Sequence, residues 1–270
     1  MKQFINSAFL IKVIAAWLAI STGGVVIIAM ASGRPVFRAV ILMGLGLVLL
    51  WIALGGWLMR LLRGPVRTIA LSIQMNWQIK FILFATGLAL LEEVVTTWMT
   101  NLAPVFGVPL GAAYITASAN YFDVVCLHSV VVFIPMFIGW AFLLKRYDFS
   151  PNLVFLLFGL TGTVIEGIYS GGQGFAEFGL WIFVYGLMVY LPAYCLPAER
   201  GAKAPHWQHY VLAVFLPIVF ALPVAAVIGI IHPIRVHFQD LRVLYPLRGQ
   251  ANSEVVCPLS PNQNPHSMVN

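Results

Sequence analysis

An all-α, polytopic transmembrane bundle of about seven helices, N-terminus cytoplasmic and C-terminus outside, is predicted by three observations on this chain. The composition is 61% hydrophobic and 9% charged, with a mean hydropathy of +0.92, far from the roughly 25% charged residues of soluble domains. Apolar runs recur along all 270 residues, each close to the roughly 20 residues that a helix needs to cross a hydrocarbon layer about 30 Å thick. Lys and Arg gather at alternate ends of those runs, as a fixed orientation requires. Barrel strands, which alternate polar and apolar residues over about ten positions, do not fit these runs.

The runs are read at residues 9–30, 39–62, 81–103, 121–144, 152–170, 178–196 and 210–231, the last without a charged residue. They make one membrane domain, 1–232. Pro135 in the fourth run and Pro217 and Pro223 in the seventh are expected to kink their helices, because proline lacks a backbone donor and crowds the preceding turn. Ile234, Phe238, Leu241 and Tyr245 share one helical face beside Arg235, Arg242 and Arg248, which predicts a short interfacial helix over 233–248. Residues 249–270, rich in Asn, Ser and Pro, read as a disordered tail.

Orientation follows from the cations. With the N-terminus in the cytoplasm, the inner side collects Lys2, Arg60, Arg63, Arg67, Lys80, Lys145, Arg146, Arg200 and Lys203, while the loops 104–120 and 171–177 hold no Lys or Arg. That asymmetry predicts N-in and C-out, with the plasma (inner) membrane as the expected location. The formal charge of +6 then belongs to helix ends facing anionic headgroups. Membrane lipids are the expected partners, and no nucleic-acid surface is read. Ala29-Met30-Ala31 matches a signal-peptidase pattern, but its apolar stretch is long for a signal peptide. Cleavage there would leave six helices in the same orientation.

Several chemistries have no footing in the sequence. Walker, GxGxxG, GxSxG and HExxH patterns and zinc-finger spacings are absent, which removes nucleotide, serine-hydrolase and zincin readings. Cys126, Cys195 and Cys257 give no disulfide framework, because Cys126 and Cys195 are read at opposite depths and a bridge needs Cα atoms within about 7 Å.

Glu92 and Glu93 carry the functional reading. They sit side by side within the third run, roughly 18 to 20 Å from Lys80 along a helix, where a carboxylate costs about 2.5–3.5 kcal/mol on insertion scales. Thr96, Thr97, Thr100 and Asn101 follow at helical spacing and extend a polar wall outward. In the fourth run His128 lies about five residues deeper than Asp123, at a depth matching the glutamates, with Tyr121 and Val125 on its face. In the fifth run Gly159, Thr163, Glu166, Ser170 and Gln173 make one stripe of small and polar residues. That stripe is either a close-packing seam or the far wall of a cleft facing the third helix, rimmed by Glu177 and the Gly171-Gly172-Gln173-Gly174 loop. The segment 104–120, apolar yet broken by prolines and glycines, is either a re-entrant hairpin or an interfacial loop.

Two resemblances attach to these residues. Glu92 and Glu93, followed 35 residues later by the helix-borne His128, resemble the glutamate-dependent intramembrane proteases that include the CAAX prenyl proteases. In them a glutamate activates water against a peptide bond. Here Thr97 stands at that family's arginine, Val124 at its phenylalanine, and the later His-x-x-x-Asn motif has no equivalent. Glu92 and Glu93 with Thr100 and Asn101 also resemble the carboxylate helix of membrane lycopene cyclases, although Leu90 replaces the proline and Thr96 and Thr97 the aromatic pair. Both resemblances end at these residues.

The expectation is an acidic, outward-facing intramembrane site of Glu92, Glu93, His128 and Glu166. Its function is read as an enzyme acting on a lipid or membrane-embedded substrate by carboxylate and imidazole acid–base chemistry. Glu93, His128 and Glu166 are the ligand set if a divalent metal assists. A proton-coupled or cation transporter, and a structural subunit of a membrane complex, remain as alternatives. Packed carboxylates repel in a low dielectric, so protons or a cation must compensate them.

Overall fold

The computed structural model describes residues 6–231, and among them the regular structure is helical. The expected interfacial segment 233–248 and the tail 249–270, with Cys257, lie outside the described residues. Helix α1, Ser7–Ala31, starts where the Asn6 side chain accepts from the Ala8 and Phe9 amides, satisfying donors that a first turn leaves unpaired. Helix α2, Pro35–Leu47, has proline at its first position, where no amide is needed. It runs through a π-helical stretch, Val48–Gly55, into α3, Gly56–Ser72. Helix α4, Trp77–Asn101, is capped by Asn76.

A short 3-10 turn, Ala103–Phe106, opens the loop that leads to α5, Tyr121–Leu127, and α6, Val130–Arg146. Ser150 caps α7, Pro151–Tyr169. A second 3-10 turn, Gln173–Phe175, precedes α8, Phe178–Tyr194, and α9 covers Trp207–Ile231.

Every apolar run falls on a helix. Four helical stretches are long and apolar enough to cross a membrane: Ser7–Ala31, Pro35–Ser72, Pro151–Tyr169 and Trp207–Ile231. The pair α5 and α6, bent by 42°, makes a fifth if it counts as one span. Helix α4 is 25 residues long but carries Lys80, Glu92 and Glu93. Helix α8 has 17 residues, short of the roughly 20 of a typical span.

Two helices differ from expectation. The second run extends beyond residue 62 to Ser72, because Arg60, Arg63 and Arg67 give α3 a polar face without ending the helix. The fourth run is two helices, and it bends at His128 and Ser129. His128 leaves helical geometry at φ −134° and ψ −66°, and the amides of His128 and Ser129 with the Ser129 hydroxyl all donate to the Val124 carbonyl. Three donors on one acceptor close α5 there. Helix α9 continues through both Pro217 and Pro223.

The core is aromatic and lies where α6, α7 and α8 meet α4. Phe133, Phe137 and Trp140 of α6 pack with Phe155 and Phe158 of α7, Tyr185 and Met188 of α8, and Phe81 and Ala85 of α4. Glycines let α7 and α8 approach closely: a Cβ on Gly159 would stand 2.5 Å from the Ile182 carbonyl oxygen, and one on Gly162 would enter the Tyr185 ring. Of the α7 stripe, Gly159 and Glu166 thus face α8, with Gly162 beside them. By contrast Ile20 and Ile27 of α1 and Val219 and Ile230 of α9 are exposed, as lipid-facing positions should be.

The loops sort by charge. Asp148 accepts from Arg200 at 2.7 Å, and its amide donates to the Lys203 carbonyl, tying the α6–α7 turn to the α8–α9 loop. The Lys80 ammonium caps the end of α3 through the carbonyls of Ala70 and Ile73, and Arg63 reaches Tyr190 near the end of α8. Among the described residues, the cations read as inner therefore gather at one end of the bundle.

Candidate intramembrane carboxylate site

Glu92 and Glu93 are 4% and 5% exposed, although both are carboxylates on a helix flanked by apolar turns. Hydroxyl groups meet Glu93. Its Oε2 accepts from Thr96 Oγ1 at 2.9 Å and from Thr116 Oγ1 at 3.4 Å, and the Ser129 side chain, whose hydroxyl proton goes to the Val124 carbonyl, lies close by. Thr96 is one turn along α4, whereas Ser129 arrives from the α5–α6 bend and Thr116 from the loop above. Glu166 comes from α7, where the Tyr185 hydroxyl of α8 donates to its Oε1 at 2.7 Å.

The three glutamates lie within electrostatic range of one another. Tyr185, which is buried, is in the field of all three. Among the described residues the ion pairs are His128 with Asp123 and Arg200 with Asp148, so no Lys or Arg neutralises the cluster. Thr97, beside it on α4, buries a hydroxyl with no hydrogen-bond partner.

The loop between α4 and α5 folds back over the pair. Thr100 Oγ1 accepts from the Ile115 amide at 3.3 Å. The Asn101 side-chain amide donates to the Thr97 and Ala119 carbonyls at 2.9 and 2.8 Å. The Tyr121 hydroxyl donates to the Leu90 carbonyl at 3.2 Å. Thr116 thus reaches Glu93, roughly 12 Å inward from the end of α4 at 1.5 Å per residue. The polar wall expected on α4 serves to hold this loop, and Gly107 and Gly111, both at φ 88°, make its left-handed turns.

The expected residues do not all converge. Glu92, Glu93 and Glu166 lie within electrostatic range of one another, but His128 pairs with Asp123, Nε2 to Oδ2 3.7 Å, an ion pair when the imidazole is protonated. Among the described residues no three His, Cys, Asp or Glu side chains are grouped to hold a metal ion. Glu93, His128 and Glu166, expected as a ligand set, are not grouped in that way in this structure. Asp123 is a closer partner for the imidazole, and the bend presents Ser129, the next residue, to Glu93.

Glu177 is exposed at the rim, within electrostatic range of Glu166. Sequence reading missed Tyr185, Thr116 and Ser129. The first lies in a uniformly apolar run, and the others reach the site only through the loop and the bend. Among known protein families, curated proteins and solved structures, none matches the chain, so neither partial resemblance gains support.

Proposed function

We propose that the chain is an integral membrane enzyme of seven crossings in the plasma membrane, N-terminus inside and C-terminus outside, acting on a lipid or membrane-embedded substrate. Its chemistry is proton transfer by carboxyl groups. One observation carries the reading: two buried glutamates and a half-buried third lie within electrostatic range of one another, with hydroxyls as their polar partners and neither ion pair of the described residues among them. A membrane protein that only needed packing there would gain several kcal/mol by using apolar residues. Glu93 is the proposed acid or base, because it has the most donors to steady it and lies beneath the one loop that covers the site. Glu166 and Tyr185 hold the second proton position, and His128 acts by fixing the bend that presents Ser129. Protons compensate the cluster in this reading, and a metal is not needed for it.

The row from Glu92 and Glu93 through Glu166 to Glu177 at the rim favours one second reading, a proton-coupled or cation carrier. Lipid extracts of membranes carrying the wild-type chain or Glu93→Gln separate the two. Glutamine keeps hydrogen bonding while removing the ionisable proton. An enzyme leaves at least one lipid-soluble species or membrane peptide present with the wild type and absent with folded Glu93→Gln. Identical extracts, with proton uptake into dye-loaded proteoliposomes that Glu93→Gln abolishes, would replace the enzyme by the carrier.

A further inference from the structure

The basic end of the bundle holds guanidinium groups that no carboxylate answers. Arg63 and Arg67 lie four residues apart on α3, and both guanidinium carbons stand over one ring, Tyr194 of α8, at 5.3 and 5.6 Å from its centroid. Arg63 also donates to the Tyr190 hydroxyl at 3.4 Å. Arg60 precedes them by one turn, and neither ion pair of the described residues involves any of the three. Cation–π contacts of this kind leave both positive charges uncancelled. An anion between the forks would cancel them.

Near these arginines is a shallow pocket of about 20 Å³, open to solvent, with Ala70, Trp77, Lys80, Phe81, Phe84 and Cys195 among its walls. Lys80 lines this pocket, and Arg67 and Lys80 both lie within electrostatic range of its Cys195. Lys80 spends two donors on the carbonyls of Ala70 and Ile73, and an ammonium has three. One proton is left for a ligand. Trp77, Tyr190 and Tyr194 at the same level are the aromatic residues that settle at headgroup depth.

We propose that Arg63, Arg67 and Lys80 bind the phosphate of an anionic phospholipid, whose apolar part lies along Trp77 and Phe84. Guanidinium forks match phosphate oxygens in pairs, and the apolar wall beside them distinguishes a lipid from a free phosphate ion. The basic end is also the one that charge asymmetry assigns to the leaflet rich in anionic lipid.

The test uses the full chain, purified in dodecyl maltoside and stripped of lipid, with bound species counted by native mass spectrometry during titration. Phosphatidylglycerol should be retained about tenfold or more tightly than phosphatidylcholine or inorganic phosphate. The double variant Arg63→Gln/Arg67→Gln should weaken its retention by about tenfold, as expected for loss of charge-assisted hydrogen bonds. Arg63→Lys/Arg67→Lys, which keeps charge and fold, should weaken it too, because an ammonium lacks the fork. It decides alone if the glutamine variant does not fold. Inorganic phosphate binding as tightly as phosphatidylglycerol would overturn the lipid assignment. Unchanged retention in the variants, or an equal loss from Arg34→Gln/Arg38→Gln at the other end, would overturn the site.

Discussion

A carboxyl group in an apolar run is visible in a sequence because it breaks the pattern, and for that reason Glu92, Glu93 and Glu166 are legible in the order of residues alone. Tyr185 is not. It counts as one more aromatic in α8, and only the close approach of α7 at Gly159 and Gly162 puts its hydroxyl on Glu166. His128 shows the opposite failure. Its depth along the run matches the glutamates, but the bend next to it sets the side chain against Asp123.

Residue by residue, Tyr185→Phe should separate the buried hydrogen bond from packing. The ring stays, and the half-buried Glu166 loses its 2.7 Å donor, for an expected cost of about 0.5–1.5 kcal/mol, the net worth of a well-formed hydrogen bond. Tyr190→Phe loses only a half-buried contact of 3.4 Å and should change stability by less than about 0.5 kcal/mol. Thermal unfolding of the two variants in one detergent checks the difference. Equal midpoints would mean that the Tyr185 hydroxyl does not hold Glu166.

At the scale of elements, hydrophobic length puts helix in each apolar run, while the π-helical stretch Val48–Gly55 and the break at His128 that divides the fourth run leave no mark in composition. The segment 103–120 carries turn residues but no sign of where it goes. Its course is set by side chains of α4, and Asn101 is the firmest of these, with donors to Thr97 and Ala119. Asn101→Ala removes both bonds at once. The loop should then loosen: hydrogen exchange at Ile115 and its neighbours should rise while α7 and α8 keep their protection. If Glu93 needs this loop in place to remain shielded, lipid conversion should fall with it. Unchanged exchange over 103–120 would show that the packing of Val108 and Ala113, rather than the Asn101 tether, holds the loop down.

For the whole molecule, the charge asymmetry read from the chain and the packing of the loops agree on which segments lie together. Arg200 and Lys203 meet the α6–α7 turn at Asp148 and Arg146, while the loop over Glu93 and the turn at Gly171 and Gly172 lie at the other ends of their helices. Grouping of ends does not say which faces the cytoplasm, and that depends on the positive-inside rule alone. Single cysteines placed at Arg67 and at Gln173 in an otherwise cysteine-free chain test it in intact cells. A membrane-impermeant maleimide should label Gln173→Cys from outside and reach Arg67→Cys only after the membrane is opened. If Arg67→Cys labels first, the bundle is inverted and the carboxylates open inward. Labelling of both positions from outside would mean that an even number of crossings separates them, so that one of α4, the α5–α6 pair and α7 does not cross and the seven-crossing arrangement fails.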